Sequence, residues 1–136
     1  MAVDVFSDEW AAQWKALINQ SQAFREAGRG WEGSLVMVLE REEGGGAAAV
    51  YADLGGGRCL QARAAQEDDL EEADFVIGAS GETWKGLLEG SLDPMFAVLQ
   101  GRLHLRQGKT AELLPHAQAA KAMVSAAKGI DADYEI

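Results

Sequence analysis

The alternation of apolar and polar residues divides the chain into helical and extended segments. Near the start, Ser7 can cap a helix that Gly28 and Gly30 end. Within this span the apolar residues recur at helical spacing: Trp10, Trp14, Leu17, Ile18 and Phe24. The pattern therefore predicts one amphipathic helix of about four or five turns, packed against the rest of the chain.

Three extended segments follow, separated by glycine-rich turns. Residues 31–40 are apolar on both alternations in their middle, which predicts a central strand buried on two faces. Residues 47–54 and 58–64 complete an antiparallel meander, and the last of these strands alternates in polarity. Neither glycine run precedes a capped helix or a Lys-Ser/Thr pair, so neither is a phosphate-binding loop.

The next stretch predicts a fourth strand at 74–80 and a helix that Ser80 caps and Gly90 ends. The segment GSLDPMFAVLQG then places Asp93 at an N-cap and Pro94 at the first helical position. The helix that follows has five consecutive apolar residues, Met95 to Leu99, and no polar face. An ordinary surface helix has a polar face, so this one is expected to contact apolar material on several sides.

An edge strand and a closing helix complete the prediction. In residues 102–108, Leu103 and Leu105 alternate with basic residues and a histidine, which is typical of a half-exposed edge strand. Pro115 is expected to sit in the first turn of the last helix or to kink it. The apolar side chains of that helix are Leu113, Leu114, Ala117, Ala120, Met123, Val124 and Ala127.

Composition indicates one soluble domain spanning residues 1–136, long enough to bury a core without metals or disulfides. Its 12 basic and 22 acidic residues give a net charge of −10, which argues against nucleic acid and against lasting adhesion to anionic membranes. The net charge does not exclude transient contact with a membrane. The acidic stretch 66–73 is expected to be a solvated loop. No secretory signal is evident, which favours a cytoplasmic location.

Candidate chemistry is sparse, so no catalytic residue, metal site or cofactor is predicted, and an enzyme is not expected. Cys59 is the only cysteine, and a small packed side chain is favoured there over a reactive thiol. His104 and His116 lie in different elements and are both expected to be exposed. No serine lies in a nucleophile-elbow motif.

Residues 73–108, ADFVIGASGETWKGLLEGSLDPMFAVLQGRLHLRQG, resemble the sterol carrier protein 2 (SCP-2) domain family. The match is dense over about a quarter of the chain, and the order of the remaining elements agrees with the family. The residues that carry the resemblance are Asp74, Gly78, Trp84, Leu87, Leu88, Gly90, Leu92, Asp93, Pro94, Met95, Phe96, Gly101, Leu103, Leu105 and Gly108.

The resemblance implies an α/β (α+β) fold with a mixed five-stranded sheet, covered on one face by helices, and an apolar tunnel between them. It implies binding, and transfer, of a long-chain lipid: a fatty acid, acyl-CoA, phospholipid or sterol-like molecule. The chain shows no attached enzyme region and no peroxisomal C-terminal signal, which favours a bacterial stand-alone type.

The family resemblance also implies which side chains line the tunnel. We expect Ala97 and Val98 to pack elsewhere, and Arg102, Arg106 and Lys109 are candidates for the lipid head group by charge alone. The expected tunnel-lining residues are Phe75, Ile77, Trp84, Leu87, Leu88, Met95, Phe96, Leu99, Leu103, Leu105, Leu113, Leu114, Met123 and Val124.

Two other classes of function stay open from the sequence. The first is a protein-interaction module, in which Trp10, Trp14 and Trp31 would anchor a partner or a second copy in a homodimer. The second is a small enzyme, or an accessory domain of one, with an acyl-type substrate. The sequence offers no candidate catalytic residue for that case.

Overall fold

A computed structural model describes residues 2–41 and 46–134, and its centre is a five-stranded mixed sheet. The spatial order is β4-β3-β2-β5-β6, with β2 parallel to β5 and every other neighbouring pair antiparallel. The strands are β2 (Gly33–Glu40), β3 (Gly46–Gly55), β4 (Arg58–Ala64), β5 (Phe75–Ser80) and β6 (Leu103–Gln107). This confirms the predicted fold class, with β2 central and β6 at an edge.

Short helices connect the strands and cover the sheet, and β1 (Val3–Asp4) pairs with β7 (Ala132–Asp133) beside it. Two 3-10 turns, Leu114–His116 and Ala127–Gly129, flank the last α-helix. The α-helices are α1 (Asp8–Gln20), α2 (Gln22–Ala27), α3 (Glu67–Glu72), α4 (Gly81–Glu89), α5 (Pro94–Leu99), α6 (Thr110–Leu113) and α7 (Ala117–Ala126). Across the described residues, none of the helices combines the length and apolar character that crossing a bilayer requires.

Several predicted helix ends have the expected geometry. The Ser80 hydroxyl accepts a hydrogen bond from the Thr83 N–H at 3.2 Å, and Gly90 ends α4 in the left-handed region at φ 87°. The Asp93 carboxylate accepts bonds from the N–H groups of Met95 and Phe96 at 2.9 and 3.3 Å. Each cap satisfies backbone groups that the first or last helical turn leaves unpaired.

Two predicted helices are each divided in the structure. Ser21 leaves the helical region and its hydroxyl accepts from the Phe24 N–H at 3.1 Å, so the first helix becomes α1 and α2. Pro115 has no N–H to donate, and a 3-10 turn separates α6 from α7 at this residue. The turn predicted at 41–46 lies mostly outside the described residues.

Large aromatic side chains fill much of the space between the sheet and the helices. Trp10, Trp14 and Trp84 are at most 1% exposed. The Trp14 indole N–H donates to the Met123 carbonyl at 3.0 Å, and the Trp84 indole N–H donates to the Val38 carbonyl at 2.8 Å. These buried bonds join α1 to α7 and α4 to β2, which fixes the helices against one another and against the sheet.

Helix α3 packs on part of the opposite face of the sheet, so the expectation of a loop at 66–73 was wrong. Leu70 packs against a small core on that face that includes Val36, Val38 and Val76. The Asp69 carboxylate accepts a hydrogen bond from the Gln66 N–H at 2.7 Å. This capping interaction stabilises the start of α3, and the polar composition of the segment did not predict it. The large core and the other helices lie on one face of the sheet, and this one short acidic helix packs on the second face.

Asp69 also anchors α3 to β4. Its carboxylate receives two hydrogen bonds from the Arg63 guanidinium, at 2.6 and 3.0 Å, and the guanidinium lies 4.4 Å above the Tyr51 ring. The hydrogen bonds from Arg63 hold the pKa of the Asp69 carboxyl below its ordinary value of 3.8. A lowered folded-state pKa stabilises the fold above the unfolded value, and this stability is lost as pH falls through the folded value.

We predict that Asp69→Asn lowers the free energy of unfolding at neutral pH by about 1 kcal/mol, because it removes a partly exposed ion pair. The difference from the wild type should shrink as pH falls below 3.8. Urea unfolding followed by tryptophan fluorescence over a pH series measures both effects. Asp68→Asn, at the exposed neighbour, is the control, and equal stability of the two variants at neutral pH would contradict the assignment.

Candidate functional site

An apolar cavity of about 250 Å³ lies between the β5–β6 edge of the sheet and the short helices α5 and α6. Its wall is almost entirely hydrocarbon, and the exposed residues Thr110 and Leu114 border its opening to solvent. The lining residues are Ile77, Met95, Val98, Gly101, Leu103, His104, Leu105, Thr110, Leu113 and Leu114.

A smaller cavity of about 60 Å³ continues towards the centre of the sheet. Both cavities share one set of walls: Ile77, Met95, Val98, Leu103 and Leu113. The deeper cavity has no polar lining surface, and its further residues are Trp31, Leu35, Met37, Trp84, Leu87, Pro94, Ala117, Ala120, Met123 and Val124. Because the two cavities share these walls, we refer to them together as the recess.

Helix α5 separates the recess from solvent and has a different contact on each side. Met95 and Val98, three residues apart, face the recess. Ala97 is fully buried, whereas Phe96 is 52% exposed and Leu99 is 83% exposed. Helix α5 therefore has no polar face: its inner side lines the cavity, and its outer side is apolar although it is exposed to solvent.

The structure brings ten of the fourteen expected lining residues to the recess. The four placed elsewhere are Phe75, Leu88, Phe96 and Leu99. Phe75 packs edge-on to Trp31 with ring centroids 6.4 Å apart, and Leu88 is buried in the core at 1% exposure. Phe96 and Leu99 point outward because α5 turns Met95 and Val98 inward. A ligand-binding role of the ten stays a prediction.

Sequence reasoning missed Val98, which was expected to pack elsewhere and instead borders both cavities. The signal was available, because Val98 lies three residues after Met95 and so shares its helical face. It also missed Thr110 and Gly101 at the opening, and Trp31, Leu35 and Met37 in the depth. Thr110 depends on how the last helix divides, and the other positions depend on which strand residues the helices leave facing a cavity, neither of which spacing alone specifies.

A charged cluster involves the alternate residues of β6, His104 and Arg106, of which His104 also borders the larger cavity. His104 Nε2 is 2.6 Å from Glu40 Oε1, and Arg106 Nη1 is 3.6 Å from Glu40 Oε2. The Glu40 side chain crosses β5 at Gly78, where a Cβ would lie 2.5 Å from its Oε2. His104 therefore has a carboxylate partner as well as solvent contact, and Arg106 is directed to Glu40 rather than to the recess.

Three expectations about aromatic and basic side chains can be compared with the structure. His116 was expected to be exposed but is half-buried, with its ring stacked on Trp31 at 4.9 Å and 5° between planes. Trp10, Trp14 and Trp31 are at most 4% exposed, so they belong to this chain's own core and are not available as anchors for a partner. Arg102 and Lys109 are exposed, each next in sequence to a cavity-lining residue.

Among the residues that the structure describes, no group of three or more His, Cys, Asp or Glu side chains is arranged to hold a metal ion.

The comparison with protein families decides the classification of this fold and recess. The SCP-2 sterol transfer family matches residues 13–125. The chain belongs to this family. The SCP-2 resemblance carried by residues 73–108 is thereby confirmed over most of the chain.

Solved SCP-2 structures agree with this membership. A crystal structure of sterol carrier protein 2 shares 38% identity and a TM-score of 0.83, covering 93% of this chain and 99% of its own. A conserved hypothetical protein from Thermus thermophilus shares 38% identity and a TM-score of 0.81, with coverages of 97% and 93%. A search of curated proteins found no significant match.

A more distant SCP-2 structure shares the fold alone. Sterol carrier protein 2 from Aedes aegypti, solved in complex with the C16 fatty acid palmitate, is 13% identical. Its TM-score is 0.58, and the alignment covers 91% of this chain and 98% of the Aedes chain.

The single thiol of this SCP-2 chain lies away from the recess. Cys59 is 2% exposed in β4, and its backbone N–H donates to the Asn19 side-chain oxygen at 2.8 Å. Burial raises the pKa of the Cys59 thiol to about 11, so it is protonated at neutral pH.

We predict that a thiol-specific chromogenic disulfide labels Cys59 slowly in the native protein at neutral pH and stoichiometrically after unfolding in guanidinium. The physical reason is the combination of burial and a protonated sulfur. Absorbance against time measures both rates in one preparation. Rapid, complete labelling of the folded protein would show that the thiol is reactive after all.

Proposed function

We propose that this protein binds a long-chain lipid non-covalently in the recess between β5, β6, α5 and α6, and that it carries the lipid without a catalytic step. The observation that supports this most is the set of apolar lining residues that the two cavities share. Membership of the SCP-2 sterol transfer family supports lipid binding in general. The cytoplasmic location and the bacterial type stay predictions.

The energetics of the recess favour an aliphatic chain over a polar ligand. Each methylene moved from water into hydrocarbon contributes about 0.8 kcal/mol, so a long acyl chain gains on the order of 10 kcal/mol before the costs of ordering. No specific polar contact is needed for affinity. Met95 and Met123 line the recess, and their flexible thioethers can adjust to chains of different shape.

The size of the recess bears on how the ligand is accommodated. Its cavities of about 250 and 60 Å³ lie near the lower end of the range typical of ligand pockets, roughly 300–1,000 Å³. We propose that a full-length chain is admitted by movement of residues 110–116, the single turn of α6 and the 3-10 turn after it. This wall is mostly exposed, whereas α7 buries Ala119, Met123 and Val124.

The proposed movement is limited to residues 110–116 and does not include α7. The α7 half is held by the bond from the Trp14 indole to the Met123 carbonyl. The α6 half has no side-chain cap at Lys109 and no buried residue. The entrance wall is therefore the less firmly packed part of the segment.

The head group of the proposed ligand would lie at the opening. Thr110 offers a hydroxyl there, and the exposed cations Arg102 and Lys109 adjoin the lining residues Gly101 and Thr110 in sequence. A carboxylate or phosphate at this position keeps its contact with water, so it escapes the cost of burying a charge. Palmitate, the ligand in the Aedes aegypti structure, is therefore the first probe.

We predict that Val98→Trp weakens binding of a fluorescent fatty acid by at least about tenfold, because an indole occupies volume in both cavities and displaces buried methylenes. Titration with cis-parinaric acid, and its displacement by palmitate, measures the affinity in solution. Leu99→Trp is the matched control, since its neighbouring position on α5 is 83% exposed.

Thermal unfolding separates loss of the site from loss of the fold, since overpacking can destabilise a protein. Val98→Phe is a smaller insertion that should give an intermediate affinity. Binding of equal strength in the wild type, Val98→Trp and Leu99→Trp would contradict the proposed site. No saturable binding by the folded wild type would contradict the proposed function.

A further inference from the structure

The outer surface beside the recess carries exposed apolar side chains. Phe96 and Leu99 lie one turn apart on α5, 52% and 83% exposed, and Leu114, which lines the larger cavity, is 51% exposed. Among the described residues only one further large apolar side chain, Leu60, is comparably exposed, and it belongs to β4 at the far edge of the sheet. We call Phe96, Leu99 and Leu114 the mouth face.

The segment that carries the mouth face is basic in an otherwise acidic chain. The whole chain has a net charge of −10, with 22 acidic and 12 basic residues. Residues 94–130 reverse this balance. Their charged side chains, histidine apart, are Arg102, Arg106, Lys109, Lys121 and Lys128 on one side and Glu112 on the other.

Two of these cations are free to meet an external anion. Arg102 and Lys109 are exposed, and neither forms an ion pair with any residue in 2–41 or 46–134. Each is next in sequence to a residue that lines the cavity, Gly101 or Thr110. Two other cations of the segment are already paired: Arg106 with Glu40 and Lys121 with Asp93.

The densest acidic segment lies on the opposite side of the sheet. Helix α3 carries five carboxylates in six residues and packs through Leu70 on the sheet face that does not contact α5 or α6. An approaching anionic surface would therefore meet the mouth face with α3 directed away. Since charges are screened over about 10 Å at 0.1 M salt, the local charges dominate, and near the mouth these are the cations Arg102 and Lys109 against the single acid Glu112.

We propose that the mouth face docks on an anionic lipid bilayer, with Phe96 and Leu99 inserted at the acyl boundary and Arg102 and Lys109 on the head groups. Small apolar insertion combined with a few cations gives reversible, salt-sensitive attachment. The purpose of docking rests on the proposed lipid-binding function, because this orientation places the opening of the recess at the membrane that supplies the lipid. It agrees with the expectation of transient rather than lasting membrane contact.

The test is co-sedimentation of the full chain with vesicles made of equal parts phosphatidylcholine and phosphatidylglycerol. We expect the wild type to bind these vesicles at low salt, and to bind pure phosphatidylcholine vesicles at least about tenfold more weakly, since two cations contribute about fivefold each. The double variant Phe96→Ser/Leu99→Ser should lose about tenfold or more in affinity for the anionic vesicles. Raising the salt should release the wild type.

Leu60→Ser is the control, because it removes an exposed leucine of similar exposure from the far edge of the sheet. Wild-type binding that is absent, or equal on neutral and anionic vesicles, overturns the proposal. So does a double variant that binds as the wild type or as Leu60→Ser does. The proposal is also overturned if sedimentation velocity shows that the wild type is a dimer and the double variant is a monomer, because the mouth face would then bind a second copy of the chain.

The two proposals fail separately. Binding of cis-parinaric acid without vesicles tests the recess alone, and the double variant should retain it because both side chains lie outside the cavity. A protein that binds the fatty acid but no vesicle keeps the proposed function and loses the docking surface. A protein that binds vesicles through the mouth face but no fatty acid keeps the docking surface and loses the proposed function.

Discussion

The structure depends on an uneven fit between one face of the sheet and the elements that cover it. Around α1, the indoles of Trp10, Trp14 and Trp84 and the ring of Phe6 pack with neighbouring centroids about 5 Å apart, and all four are at most 1% exposed. Over β5 and β6, the cover is a six-residue helix and a single helical turn. Such short elements present few side chains, so apolar surface on Ile77, Leu103 and Leu105 is left facing a cavity instead of a packed neighbour.

That uncovered surface gives the fold a place for a hydrocarbon without any special chemistry. Protein interiors are normally close-packed, and an apolar space open to solvent is a cost that a ligand can relieve. The same short helices expose Phe96 and Leu99 on their outer side. Recess and outer face are thus two consequences of one feature, a helix too short to bury itself and apolar on every side.

The sequence could predict most of the fold because local signals and the family resemblance agreed. Caps at Ser80 and Asp93 and the left-handed Gly90 mark true helix ends. The helix at 67–72 was missed because its single apolar residue, Leu70, gives no periodicity, and its stability comes from Arg63 and the sheet. Phe96 and Leu99 were expected in the tunnel from the family resemblance and the apolar run of α5, but a helix of six residues cannot turn all of its apolar side chains inward, and these two are exposed.

The central claim, that an acyl chain occupies the recess, is tested most directly by methyl NMR of the full chain titrated with palmitate. We expect saturable shifts in the methyl signals of Ile77, Val98 and Leu105, with those of Ile18 and Val50, buried in the closed half of the core, nearly unchanged. Shifts spread evenly over both sets, or none at all as palmitate is added, would contradict the account.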